Sequence, residues 1–96
     1  MIQHTVIFNW KDGASSSAID AVVSEVRDLS KIDGVTNLIC GPNLGNGRTD
    51  YAFVLSMRLP SMEFLEKTYR PHPIHQRFSE SLRKVIGTKV FIDFEL

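Results

Sequence analysis

The sequence has almost no cysteine and no net charge, and both shortages exclude classes of protein. A single cysteine among 96 residues cannot form an internal disulfide, which excludes a disulfide-rich secreted scaffold. The chain has 11 basic residues, counting Lys and Arg, and 11 acidic residues, counting Asp and Glu, so no net basic field attracts the phosphates of nucleic acids. Nucleic acid is therefore not an expected partner.

Long apolar runs are also missing from the sequence. No segment reaches the length of a membrane span, and the amino terminus lacks the basic segment and apolar run of a signal peptide. Cys40 lies in a short apolar stretch, where a buried, reduced thiol is expected. We therefore expect a cytoplasmic protein that has no membrane partner.

The composition that is present favours one folded domain. Hydrophobic residues make up 43% of the chain and charged residues 23%, which is ordinary for a globular protein. A chain of 96 residues is long enough for one core and too short for two. We expect a single domain over residues 1–96.

Apolar periodicity predicts three strands and one helix in the first two thirds of the chain. Residues 2–10 alternate as a strand, and residues 19–29 repeat at helical spacing after serines that suit an N-cap. A short β-prone run covers residues 35–40, and a turn-rich connection separates it from a strand at residues 51–59.

The last third of the chain predicts two helices and a final strand. Residues 61–69 have helical spacing, and Pro71 prevents a smooth continuation of that helix. Pro73 suits the first position of the next helix, which Gly87 would terminate. Residues 90–94 alternate as a fourth strand. This order of elements is typical of an α+β, ferredoxin-like antiparallel four-stranded sheet with helices on one face.

One face of such a sheet would remain uncovered. Ile7, Phe91 and one row of the third strand are expected on that face, because the helices shield only the other one. A second copy of the chain would bury the same patch on both partners. We therefore expect a homodimer that forms through the open sheet face.

Polar side chains that could take part in catalysis or ligand binding are concentrated between residues 69 and 76. His75 would lie in the first turn of its helix, where the helix dipole disfavours the imidazolium form, so the neutral ring could act as a base. Tyr69 could donate a hydrogen bond to a carbonyl oxygen that gains charge during enolisation. His4 shares a strand face with Val6 and Phe8, which would point it at a pocket between sheet and helices.

Structural roles compete with these functional ones. His4 on an apolar strand fits a hydrogen-bonded core residue, and His72 fits a helix cap. No acidic residue or cysteine supports His72 and His75 as metal ligands, so no metal is expected. Gly41, Gly45 and Gly47 suit a flexible loop better than a phosphate site, because no P-loop lysine follows them.

The segment from His72 to Phe78 resembles the His-Pro-x-His-x-x-Phe signature of the stress-responsive A/B barrel family. Other shared features are an early His4, the turn at residues 11–13, and Asp93 near the end, so the resemblance covers nearly all of the chain. It implies a ferredoxin-like chain whose sheet pairs with that of a second copy into a dimeric α+β barrel.

The same segment is similar to the olivetolic acid cyclase branch of that family. This likeness implies His75 and Tyr69 as catalytic residues of a cofactor-independent ring closure, as in a polyketide cyclase-like lyase. It also implies His4 as a pocket residue. The sequence departs from that branch at Arg70 and Pro71, where the relative has apolar residues.

The resulting hypothesis is a homodimer that binds a small apolar or polyketide-like ligand and catalyses a cyclisation or related enolate chemistry without a cofactor. An alternative is a non-catalytic stress-protection or ligand-binding protein, and a third is a cofactor-independent monooxygenase. The catalytic residues would be His75 and Tyr69. The remaining ligand-binding residues would be His4, Val6, Phe8, His72 and Phe78.

Overall fold

A computed structural model describes residues 1–45 and 51–96 of the chain. Among these residues no helix combines the length and the apolar character needed to cross a membrane. The strands and helices, in chain order, are β1 (Ile2–Trp10), α1 (Ser16–Asp28), β2 (Thr36–Pro42), β3 (Phe53–Leu59), α2 (Met62–Phe64), α3 (Pro73–Arg83) and β4 (Ile86–Glu95).

The four strands form one antiparallel sheet in the spatial order β2-β3-β1-β4. The first and last strands are therefore neighbours, and β1 lies at the centre between β3 and β4. This arrangement confirms the predicted ferredoxin-like fold. It also places the amino-terminal strand, with His4, directly beside the carboxyl-terminal strand.

The core lies between one face of the sheet and the helices. Alternate residues of β1 and β3 point into it, because strand side chains alternate between faces. Helix α1 contributes Val22 and Val26, and α3 contributes Phe78 and Leu82, all buried as their spacing predicts. Each fully buried side chain of this kind contributes about 1.5–3 kcal/mol. The core residues from the two strands are Ile2, Val6, Phe8, Phe53, Leu55, Met57 and Leu59.

Several predicted boundaries are wrong. Strand β2 continues to Pro42, β3 begins at Phe53, and β4 runs over ten residues from Ile86. Gly87 does not terminate a helix: α3 ends at Arg83, and Gly87 lies in β4, where an added Cβ would be 3.4 Å from the Trp10 carbonyl oxygen. Residues 46 and 47 of the predicted turn-rich connection lie outside the described residues.

The predicted helix over residues 61–69 is mostly a π-helical turn. Only Met62–Phe64 is α-helical, and Leu65–Tyr69 then widens so that the Arg70 amide donates to the Leu65 carbonyl at 3.0 Å. Such widened turns are common at functional positions. Here the turn buries both Leu65 and Tyr69 against the core.

The sequence predicted Phe91 on the open face of the sheet, and this prediction is wrong. Phe91 pairs with Val6 across the β1–β4 ladder, and paired residues share a face, so Phe91 points towards the helices. Ile7 pairs instead with Val90, and Val90, Ile92 and Phe94 form the β4 row of the open face.

The open face is nevertheless apolar. Val54, Val90, Ile92 and Phe94 are 37%, 36%, 44% and 52% exposed. Ile39 on β2 pairs with Ser56 of β3 and is 67% exposed. A contiguous apolar surface of this kind is unusual on a protein that stays monomeric.

Gly34 gives a stability prediction. Its φ is +100°, and an added Cβ would lie 2.5 Å from Cζ of Phe64. Gly34→Ala should therefore lower the free energy of unfolding by about 3 kcal/mol, since the left-handed backbone and the ring contact both oppose a side chain. Chemical denaturation measures this loss.

Gly13→Ala is the matched control for that substitution. Gly13 also has a left-handed φ, +81°, but an added Cβ would have no atom within 4 Å. It should cost only about 1 kcal/mol, which is the backbone penalty alone. Equal losses for the two variants would show that the Phe64 contact contributes nothing.

Candidate functional site

A cavity of about 370 Å³ lies between the helix-facing side of the sheet and helix α3. Strands β1 and β4 form its floor, the π turn and the start of α3 form one wall, and the side of α3 forms another. We refer to it as the helix-side cavity. Its lining residues are His4, Val6, Tyr69, Arg70, His75, Phe78, Ser79, Leu82, Lys89 and Phe91.

The start of helix α3 fixes the polar wall of the cavity. His72 is the N-cap, and its Nδ1 accepts a hydrogen bond from the Ile74 amide at 3.1 Å. Pro73 occupies the first helical position, where a missing N–H costs nothing. These two residues place His75 in the first turn, facing the π turn that carries Tyr69.

His75 is held by the backbone of the π turn. Its Nδ1 donates a hydrogen bond to the Arg70 carbonyl oxygen at 3.0 Å, which leaves Nε2 as the acceptor atom of the neutral ring. Burial is the largest cause that lowers the pKa of His75, and nearby His4, Arg70 and Lys89 lower it further. The hydrogen bond to the Arg70 carbonyl acts in the opposite direction and raises the pKa. The lowered pKa agrees with the expected neutral imidazole.

Tyr69 contacts His75 directly. The two ring centroids are 4.6 Å apart, and the Tyr69 side chain is only 1% exposed. Burial raises the pKa of the phenol well above its usual range, although the Arg70 charge opposes the rise. Within residues 1–45 and 51–96 the Tyr69 hydroxyl forms no hydrogen bond. The phenol therefore stays protonated beside the cavity as a donor for a bound group.

His4 forms the floor of the cavity together with Asp93. Its Nδ1 lies 2.5 Å from Oδ1 of Asp93, its residue partner across the β1–β4 ladder. A carboxylate oxygen accepts, so the Nδ1–H of His4 donates to Asp93. The His4 ring stacks on Phe91 at 6.3 Å and meets the Tyr69 ring edge-on at 5.7 Å. His4 is thus hydrogen-bonded and also lines the cavity.

The structure brings together five of the seven predicted site residues. These are His4, Val6, Tyr69, His75 and Phe78.

Phe8 and His72 are outside the cavity lining. Phe8 is fully buried further along β1, where its ring packs 5.2 Å from Trp10 and 5.3 Å from Phe53. The His72 ring is engaged as the helix cap, which is the structural role considered for it.

Sequence reasoning missed the contribution of β4 to the site. Lys89, Phe91 and Asp93 alternate along β4 and face the helices, while Ser79 and Leu82 follow from the position of Phe78 on α3. A signal was present, because an aspartate interrupts an otherwise apolar strand end. Its pairing with His4 requires the β1–β4 register, which periodicity does not determine.

The arrangement suits proton transfer and hydrogen bonding to a small ligand. One imidazole with a free Nε2 and one protonated phenol share a wall, and apolar side chains cover much of the rest of the cavity. Among the described residues, no group of three or more His, Cys, Asp or Glu side chains is placed to hold a metal ion.

Comparisons with known proteins add a family and a set of similar folds. The family model described as Stress responsive A/B Barrel Domain matches residues 2–96. The chain is 32% identical over 96 residues to a stress-response A/B barrel domain-containing protein of Arabidopsis thaliana, covering 98% of this chain. It spans 36% of that relative's length, so most of the relative has no counterpart in this chain.

Two solved structures share the fold at low sequence identity. A dimeric ferredoxin-like protein of unknown function from Thermobifida fusca superposes with a TM-score of 0.86 at 23% identity, over 99% of this chain and 90% of that one. The hydroxynitrile lyase of Passiflora edulis has a TM-score of 0.82 at 17% identity, over 97% of this chain and 90% of the lyase.

Proposed function

Because the chain belongs to the stress-responsive A/B barrel domain family, we propose that it acts as a homodimer that binds a small, mostly apolar ligand in the helix-side cavity and catalyses proton transfer on it. The observation that carries the proposal is the contact between the Tyr69 and His75 rings, whose centroids are 4.6 Å apart, on one cavity wall. The reaction class is enolate chemistry without a cofactor, such as the ring closure of a polyketide-like ligand.

The open face of the sheet supports the homodimer. Helices cover only the opposite face, so Val54 of β3 and the apolar row of β4 remain in water unless a second copy covers them. Pairing two copies of one face gives a closed twofold assembly. The Thermobifida fusca protein of the same fold is described as dimeric.

Ile92→Asp tests the dimer. Ile92 is in the β4 row of the open face, and burying an unpaired carboxylate there should raise the dimer dissociation constant by at least about 100-fold. Met62→Asp is the control, because Met62 is 43% exposed, close to the 44% of Ile92, but lies on α2. Sedimentation velocity should show a monomer for Ile92→Asp alone. A wild-type monomer at micromolar concentration would contradict the dimer.

The proposed reaction uses His75 as the base and Tyr69 as the hydrogen-bond donor. His75 Nε2 removes a proton from a carbon beside a ligand carbonyl, and the Tyr69 hydroxyl donates a hydrogen bond to the oxygen that gains charge. The enolate carbon then attacks a second carbonyl of the same ligand and closes a ring. The new alkoxide takes the proton back from His75, which returns the imidazole to its starting state.

A simple diketone tests the proposal. The probe is an acyclic diketone with one phenyl group, which closes to a hydroxyketone and then loses water to give phenylcyclohexenone. The wild-type protein should bind the probe and accelerate formation of the conjugated enone, followed by its ultraviolet absorbance. Binding without acceleration would remove the catalytic part, and the absence of binding would remove the ligand cavity as well.

One observation favours a non-catalytic binding protein instead. The hydrogen bond from His75 to the Arg70 carbonyl also stabilises the junction between the π turn and α3, so the histidine has a structural use. In that case His75 would matter for stability and not for turnover. The Passiflora edulis hydroxynitrile lyase has the same fold, so this fold can carry an enzyme, and catalysis is the leading proposal.

A further inference from the structure

The mouth of the helix-side cavity carries two cationic side chains and no acidic one. Arg70 at the end of the π turn and Lys89 on β4 both line the cavity, while its other lining residues are histidines, a tyrosine, a serine and apolar residues. The chain as a whole has equal numbers of acidic and basic residues. The positive charge is therefore a local property of this opening.

Neither cation is neutralised within the described part of the chain. The salt bridges there join Lys31 to Asp28, Lys67 to Glu63 and the amino terminus to Glu95, and Asp93 is paired with His4. Lys89 contacts the Phe91 ring, with Nζ 5.1 Å from its centroid. Both charges are therefore available to a ligand.

The two cations come from different elements and converge on one opening. The backbone of Arg70 is fixed there, because its carbonyl accepts hydrogen bonds from His75 Nδ1 at 3.0 Å and Gln76 Nε2 at 3.1 Å. Lys89 is two residues before Phe91 on the same sheet face. The buried side chains of Val6, Phe78 and Leu82, together with the more exposed ring of Phe91, offer apolar contacts in the cavity.

We infer that the ligand of the helix-side cavity is an apolar carboxylate, with its hydrocarbon part between α3 and the sheet and its anionic group at the mouth between Arg70 and Lys89. This inference rests on the proposed function and adds the chemical class of the ligand. A carboxylate suits the site because a guanidinium binds both of its oxygens and an ammonium adds a second donor.

A matched pair of probes isolates the anionic group. Naphthoate and naphthamide have the same ring system and nearly the same shape, and only naphthoate is charged at neutral pH. Fluorescence titration of the full chain should show naphthoate binding about tenfold more tightly than naphthamide, since each exposed cation contributes modestly. The preference should shrink between about 0.02 M and about 0.5 M salt.

Charge-removing variants locate the preference. Arg70→Gln and Lys89→Gln should each reduce the preference to about threefold, and the double variant should remove it. Arg77→Gln and Lys84→Gln are controls, because these cations belong to the α3 region, are exposed and do not line the cavity. They should leave the preference at about tenfold. Thermal unfolding checks that every variant is folded.

The outcomes separate this inference from the proposed function. Equal binding of the two probes, or an equal loss of preference in the control variants, would overturn the carboxylate and leave the apolar cavity intact. The absence of binding by either probe would overturn both. A tenfold preference that depends on Arg70 and Lys89 supports the carboxylate and the ligand-binding part of the proposed function.

Discussion

Replacing His75 with Gln should lower kcat for closure of the phenyl diketone by between about 100-fold and 10,000-fold, the range expected when a general base is removed. Gln has an amide N–H that can still donate to the Arg70 carbonyl, so the junction between the π turn and α3 is kept. It has no atom that accepts a proton at neutral pH. KM should change little, because the apolar lining of the cavity is intact.

His72→Asn is the control for this result. His72 caps α3 from outside the helix-side cavity, and Asn is a strong N-cap residue, so kcat should remain within about twofold of wild type. Full turnover by His75→Gln would remove His75 from the mechanism and favour the binding protein.

The pH profile provides a second readout of the His75 variant. The pKa of His75 is lowered from its ordinary value near 6.5, so the free base persists to below that pH, and kcat/KM of the wild type should fall only under more acidic conditions. The His75→Gln variant should lack this acidic fall. A merely structural histidine would leave the shape of the profile unchanged.

The strands and helices whose periodicity is long were predictable from the sequence. Residues 2–10 alternate without interruption and form β1 with those bounds, and the stripe of Val22 and Val26 becomes the buried face of α1. In these segments the apolar pattern and the tertiary burial agree, so one local signal is enough.

The π turn and the start of β4 were not predictable by the same reasoning. Residues 61–69 have helical spacing, yet Leu65–Tyr69 forms a widened turn that buries both Leu65 and Tyr69. The apolar periodicity does not distinguish such a turn from an α-helix. Gly87 resembles a helix terminator, but the strand that pairs with β1 extends through it. Pairing with a distant strand therefore overrides the local tendency of Gly87 to end a helix, and the residue becomes part of a strand.

The candidate site was predicted where its residues are close in sequence and missed where they are distant. Tyr69 and His75 are six positions apart and meet through a short turn. His4 and Asp93 come from opposite ends of the chain, and only the β1–β4 register joins them. The same register turns Phe91 into a cavity residue, while one residue of slip would place it on the open face.

Replacing Tyr69 with Phe should lower kcat for ring closure by about 100-fold to 1,000-fold, which is the usual cost of losing one donor to a developing oxyanion. The ring and its contacts with His4 and His75 remain, and the hydroxyl has no partner among the described residues, so stability should not fall. The acidic fall of kcat/KM should persist, because His75 is still present. Stopped-flow or steady-state absorbance gives kcat, and thermal unfolding gives the stability.

Tyr51→Phe controls for the loss of a phenol elsewhere. Tyr51 is the other tyrosine of the chain and lines a different surface pocket, near Pro42 and Leu44, so its substitution should leave kcat unchanged. A Tyr69→Phe variant as fast as wild type would show that no oxyanion is stabilised by this hydroxyl. If His75→Gln were slow at the same time, the imidazole would be acting as a base without the Tyr69 hydroxyl as its partner, and the donor to the enolate would have to be a cation at the cavity mouth.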